Sequence, residues 1–198
     1  MSSKGRLREA INIVLMLVII VVITGAAYPF VMFAYSRIFS AKADGNLVYV
    51  NGKPVGSRLI GQQFTSDSFF HGRPSSAGKG YDGMASGASN LGPTNPKLAA
   101  DMRARLQAAL RENPGLSRSN VPIEMLTGSN SGLDPEISVD SAKVQVARVS
   151  KATGLSRALL EKAVKKHTVQ RTLGIFGEAR VNVLELNLDV LKLKGVSK

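Results

Sequence analysis

The sequence has no cysteine and no tryptophan, only two histidines, and not one charged residue between Glu9 and Arg37. Each absence excludes something. Without cysteine there is no disulfide framework and no thiolate metal site, and a domain of this size needs neither to fold. His71 and His167 are far apart in the chain, with no HExxH pairing and no clustered carboxylate loop. Asp134 and Asp140, near Asn130, miss the spacing of a calcium loop. No metal site is expected. The lack of tryptophan and a 6% aromatic content leave little to stack bases on, so nucleic acid is excluded as a partner.

The uncharged stretch is present as a feature too. "INIVLMLVIIVVITGAAYPFVMFAY" is almost wholly apolar, and as a helix it rises on the order of 38 Å, enough to cross a ~30 Å hydrocarbon core. The reading is a transmembrane helix over residues 10–35, with Ile11 to Ala34 as its lipid-facing run. Pro29 predicts a kink or a change of helix geometry in the last third. A secretory signal is the competitor, with an A-x-A-like site at Ala41-Lys42-Ala43. Its apolar region is usually only ~7–15 residues long, shorter than this one. Lys4, Arg6 and Arg8 outnumber the cations just after the span. The positive-inside rule therefore puts residues 1–9 in the cytoplasm and residues 36–198 outside it.

The net charge is +12. Without Lys4, Arg6, Arg8 and Glu9, 23 basic and 13 acidic side chains remain, a balance of +10. A basic domain tethered beside a bilayer points to anionic lipid or an acidic partner.

Residues 36–45 form a short polar link. Leu47 to Val50 read as a strand, Asn51-Gly52 as a type I′ turn, and Val55 to Ile60 as the returning strand. A glycine- and serine-rich region from about Thr65 to Thr94 follows. Its length marks it as a functional surface rather than a connector. Three helices come next. The first has Asn95 as N-cap, Pro96 at its first position, a stripe of Leu98, Met102, Leu106 and Leu110, and a stop at Asn113-Pro114-Gly115. The second opens at Ser138, buries Val139, Ala142, Val146 and Val149, and ends at Gly154. The third is capped by Ser156, with Leu155 and Leu160 as a staple, and runs to about His167. Residues 181–192 fit both periods. Asn182 with Glu185, at capping-box spacing, favours a fourth helix. "VPIEMLT" and "TLGIF" are expected as strands joining the hairpin in one small sheet. The fold class is α+β: a single N-terminal transmembrane helix and one extracytoplasmic domain with a small sheet and about four helices.

Two loops invite chemistry, "SGASNLGPTNP" (86–96) and "TGSNSGLDPEIS" (127–138). A serine hydrolase would need His71 beside Ser129 or Ser131, and nothing in the sequence brings them together. A phosphate loop needs Gly-Lys-Ser/Thr, whereas Gly132 is followed by Leu133-Asp134. Consecutive turns through Ser129, Asn130, Gly132, Asp134 and Pro135 account for the second loop, with Gly132 at positive φ and the Asp134 carboxylate projecting outward. His167 reads as a basic group at a helix C-terminus. No catalytic residue is expected. A membrane-anchored serine hydrolase using Ser131 and His71, and a stand-alone module binding anionic lipid or polymer, are the rival functions.

"GSRLIGQQF", "FFHGRPS", "SGASNLGPTNP", "TGSNSGLDPEIS", "RVSKATGL" and "RVNVLELNLDVL" occur in one order behind the single span. Together they resemble the C subunit of the Kdp-type potassium-transporting ATPase. The resemblance implies a plasma (inner) membrane complex with a channel-like A subunit, a P-type ATPase B subunit and a small F subunit. It makes this chain a non-catalytic assembly component. No cofactor would be bound here; ATP belongs to the ATPase subunit, and potassium is the transported ion. The family is also described as a catalytic chaperone that raises ATP affinity, through a glutamine matching Gln145. By its place on an amphipathic helix, Gln145 is expected on the solvated side or at a partner. The loops then become docking surfaces, through Ser89, Asn90, Gly92, Asn95, Ser129, Asn130, Ser131, Gly132 and Asp134.

Overall fold

A computed structural model describes residues 3–195. Residues 1–2 and 196–198, the ends of the expected cytoplasmic segment and outer domain, lie outside the described residues. The chain divides into two compact units after Asn46.

The first unit is helical throughout. Helix α1 (Ser3–Val22) passes through a π-helical turn, Ile23–Ala27, into α2 (Tyr28–Ser36). The cause is Pro29, whose ring clashes with the preceding turn and which has no N–H to give the carbonyl of Gly25. The widened turn absorbs this, with the Tyr28 N–H donating five residues back to Ile23. Thr24 Oγ1 bonds the Ile20 carbonyl at 2.8 Å, keeping its own polar group satisfied. A 3₁₀ turn, Arg37–Phe39, and a short helix, α3 (Ser40–Ala43), follow, so the polar link is itself helical. From Gly5 to Ala43 this is one helical run of 39 residues with an 18-residue stretch of mean hydropathy 2.8, none of it buried. Length and composition suffice to cross a membrane.

The second unit opens with the hairpin β1 (Leu47–Val50) and β2 (Lys53–Ser57). Asn51 and Gly52 have φ of 52° and 76°, as a type I′ turn requires. After a long irregular stretch come α4 (Pro96–Glu112), β3 (Glu136–Ser138), α5 (Val139–Thr153), α6 (Arg157–Lys166), β4 (Thr168–Val169), β5 (Arg180–Asn182) and α7 (Val183–Leu193). All four helices begin on the expected caps. Asn95, Ser138, Ser156 and Asn182 each accept a backbone N–H inside the first turn.

The sheet expectations need correction. The hairpin forms a two-stranded sheet of its own, and a separate antiparallel sheet has the order β3-β5-β4. "VPIEMLT" contains a 3₁₀ turn at Ile123–Met125, and "TLGIF" is a tight turn bridged between Thr172 and Phe176. Neither stretch has a flat face to bury. Pro122 restricts the first, and Gly174 at φ 74° turns the second back on itself. The tail uses both of its periods: residues 180–182 pair as a strand, then Asn182 caps a helix.

The core of this unit is Phe70, Ile137, Ala142, Val146, Val149, Leu160, Ala163, Val164, Val181, Val183, Leu186 and Val190. It gathers one face each of α5, α6 and α7 and the centre of the three-stranded sheet. Phe70 alone comes from the irregular region, and it is fully buried. That anchor draws the loop region into the fold.

Candidate functional site: a backbone strand held by side-chain amides

The segment "FFHGRP" has no strand partner, yet its backbone polar groups are buried and must be paired. Two primary amides do it. Asn187 on α7 accepts the Phe70 N–H at 2.7 Å and donates to the Phe70 carbonyl at 2.9 Å. Gln145 on α5 accepts the His71 N–H at 2.7 Å and donates to the His71 carbonyl at 3.1 Å. Each amide offers one donor and one acceptor side by side, so each imitates a residue of a neighbouring strand. Both are about 1% exposed. Of the two placements expected for Gln145, the solvated side is ruled out by this burial. Nothing in the residue's own period distinguishes a buried amide from a surface one; the partner segment lies 74 residues away.

Arg148, one turn further along α5, extends the clamp. Its guanidinium donates to the carbonyls of Asp67 and Phe69, both at 2.9 Å, to Gln145 Oε1 at 2.7 Å and to Asn113 Oδ1 at 3.3 Å. It is 4% exposed, and burial pushes it below its ordinary value while Glu112 and Asp67 pull the other way. The His71 ring completes the group. Its Nε2 lies 3.1 Å from the Ser66 carbonyl and 3.4 Å from Arg148, and its Nδ1 lies 3.5 Å from Glu112. Burial, and then the Arg148 charge, hold the imidazole below its usual value. Asn113, Arg148 and Asn187 were not anticipated. The signal available was "VLELNLDVL", where Asn187 shares a face with Val183 and Val190; Arg148 sits beside Ser141 and Gln145 and gave no such signal.

The two loops meet each other. Gly87 N–H and Ser86 Oγ both donate to the Ser131 carbonyl at 2.9 Å. Ser75 Oγ donates to the Gly132 carbonyl at 2.6 Å, and Ser129 N–H donates to the Pro74 carbonyl at 3.3 Å. Gly132 is at φ 68°, and a Cβ there would lie 2.6 Å from Ala77 N and 2.7 Å from the Gly87 carbonyl. Gly61 is in a similar position, because a Cβ on it would collide with the Asp134 carbonyl. The Asp134 carboxylate does not project freely. It pairs with Arg73 at 3.1 Å and accepts the Glu136 N–H at 3.1 Å. Tyr81 closes the group by donating to the Arg73 carbonyl at 2.5 Å. Burial first, and the Asp134 charge second, push its hydroxyl up to about 12.

Of the expected docking residues, Ser129 and Gly132 are buried in this loop pair, and Asn95 serves as the cap of α4. Ser89, Asn90, Gly92, Asn130 and Ser131 are exposed. The hydrolase pairing does not form. Both His71 nitrogens face Ser66, Glu112 and Arg148, and Ser131 Oγ accepts the Leu133 N–H. Among the described residues no hydrogen bond joins His71 to either serine. A cleft of about 240 Å³ beside the clamp, lined by His71, Arg73, Tyr81, Arg105 and Glu112, is mixed in charge. His167 caps α6 as expected, and its Nε2 lies 3.2 Å from Asp189 on α7. Burial works to raise the Asp189 carboxyl, but Lys166, which donates to both of its oxygens at 3.0 and 3.1 Å, and the neighbouring His167 together hold it below its usual value.

A family model described as KdpC, the K+-transporting ATPase c chain, matches residues 10–192, from the apolar helix to the end of α7. A "Potassium-transporting ATPase KdpC subunit" from Kineococcus radiotolerans is 48% identical over 188 residues, covering 95% of each chain. One from Mycobacterium tuberculosis is 46% identical over 187 residues, covering 94% of this chain and 99% of the relative. One from Koribacter versatilis is 44% identical over 184 residues, covering 92% and 94%. With one long apolar helix, the capped α+β unit and a match over nearly its whole length, this chain belongs to the KdpC family of potassium-transporting ATPase subunits.

Proposed function

We propose that the chain is a non-catalytic accessory subunit of an ATP-driven potassium uptake complex in the plasma (inner) membrane. The helix over residues 10–35 anchors it, residues 1–9 lie in the cytoplasm, and residues 36–198 lie outside. Its partners are the channel-like A subunit, the P-type ATPase B subunit and the small F subunit, with anionic lipid around the anchor. Potassium passes through one companion and ATP is hydrolysed by another. The near full-length family match carries this reading, and the membrane-length helix supports it.

The exposed residues Ser89, Asn90, Gly92, Asn130 and Ser131 are the docking surface in this reading. They are small and polar and sit on a braced loop pair, which suits close, wet packing. The chaperone effect on ATP affinity is indirect. The Gln145 amide is already engaged by His71, Ser141 and Arg148, so a change there acts by moving the segment 67–74. The test is purification of the tagged chain from membranes grown at low potassium. A P-type ATPase should come with it, and deletion of the chain should abolish uptake. Recovery of the chain alone, with uptake intact in its absence, would end this reading. Labelling by an active-site serine probe would instead support the hydrolase.

A further inference from the structure

The excursion between β4 and β5, residues 170–178, is built and not loose. Thr172 and Phe176 exchange backbone hydrogen bonds at 2.8 and 2.9 Å, and Arg171 Nη2 donates to both oxygens of Glu178 at 2.7 and 2.6 Å. Yet its tip shows apolar surface to the solvent. Leu173 is 84% exposed, Ile175 72% and Phe176 63%. Leu173 also holds φ 55°, which costs a leucine energy that burial does not repay here. Three large apolar side chains within four residues, on a fixed turn, form a wedge that needs a cover.

We propose that this tip dips into the headgroup region of the bilayer that carries the chain's own helix, with anionic lipid as the favoured surface. The inference rests on the anchored reading above. An anchor keeps the domain at a high effective concentration beside lipid, so a small wedge suffices. Charge favours the same occupant. From residue 151 to 195 there are nine Lys and Arg against four Asp and Glu. Lys162 and Lys165 are exposed on α6, which leads through β4 into the hairpin; the groove at the hairpin's base sets Lys143 and Lys165 against Asp140 and Glu161, so the positive excess rests on the segment as a whole. Glu178, the single carboxylate of the hairpin, is neutralised by Arg171. A second copy of this chain would meet the same positive excess. A lipid surface asks for apolar side chains at a modest depth and cations nearby; the hairpin tip supplies the first and the exposed lysines of α6 the second.

The natural sequence has no tryptophan, so a single one reports its own position. Full-length Phe176→Trp and Val18→Trp are reconstituted separately into phosphatidylcholine vesicles with brominated acyl chains, with and without phosphatidylglycerol. Both tryptophans should be quenched, and Trp emission at 176 should shift to shorter wavelength, more strongly in the anionic vesicles. Adding Leu173→Asn and Ile175→Ser to Phe176→Trp should reduce quenching there several-fold. Asparagine accepts positive φ, so the turn survives, and an unchanged circular dichroism spectrum verifies it. Quenching at 18 without quenching at 176 overturns the proposal and leaves the anchor standing. Quenching at neither position removes the anchored reading and this inference with it. A tryptophan at 176 that ignores lipid but shifts on addition of the companion subunits assigns the tip to a protein cleft and overturns the proposal.

Discussion

At the scale of single residues, the most consequential side chain is Gln145. Its amide pairs both backbone groups of His71 and also accepts from Arg148. Gln145→Ala leaves those buried groups without partners, and a loss of about 2–4 kcal/mol is expected in chemical unfolding. If the variant kept wild-type stability, the clamp would not be what holds the segment. Gly132→Val should also destabilise the domain. Backbone strain at its φ costs on the order of 1–3 kcal/mol before any clash with Ala77 and Gly87 is counted. Asn130→Ala, at an exposed neighbour, should leave stability unchanged and serves as the control. His71 makes stability depend on pH. Its folded value lies below the ordinary 6.5, so below that pH the unfolded chain binds more protons. Stability is then complete above pH 6.5 and is lost as the pH falls toward the folded value. His71→Gln should flatten the fall in melting temperature between pH 7.5 and 5.5. An unchanged slope would assign the effect to another group.

At the scale of elements, the caps were legible because each is local. Asn95, Ser138, Ser156 and Asn182 precede an apolar stripe by a fixed offset, and each structure-forming bond closes within three residues. Asn182 does more than cap. Its Nδ2 also donates to the Arg58 carbonyl at 3.0 Å, tying the end of the hairpin to α7. Asn182→Ala should therefore cost about 1–3 kcal/mol, against about 1 for Ser156→Ala at an exposed cap. Equal losses in the two variants would mean that the Arg58 bond contributes nothing. The strands were read less well. β3, β4 and β5 have two or three residues each, too few to show an alternation. "TLGIF" has strand composition and a turn's geometry, and only the positive φ of Leu173 and Gly174 separates the two.

At the scale of the molecule, the anchor and the domain are separate units that share one chain. The predicted topology puts residue 4 inside and residue 198 outside. Because the chain has no cysteine, Lys4→Cys and Lys198→Cys each create a single thiol. An impermeant reagent on intact cells should label only the second, and labelling of only the first would invert the arrangement.

What the sequence determined alone were properties that follow from short windows and composition. The uncharged run makes a membrane-length helix whatever surrounds it. Pro29 disturbs that helix because it lacks an N–H, and Asn51-Gly52 makes its hairpin because those residues reach positive φ cheaply. Six ordered blocks identify the family without any geometry. Tertiary structure alone decided which polar groups are buried and with what. Phe70 meets Asn187 across 117 positions, Arg148 meets Asp67 across 81, and Gly87 meets Ser131 across 44. No local pattern encodes these pairs, because a polar side chain costs little in water and becomes specific only once folding has removed the water.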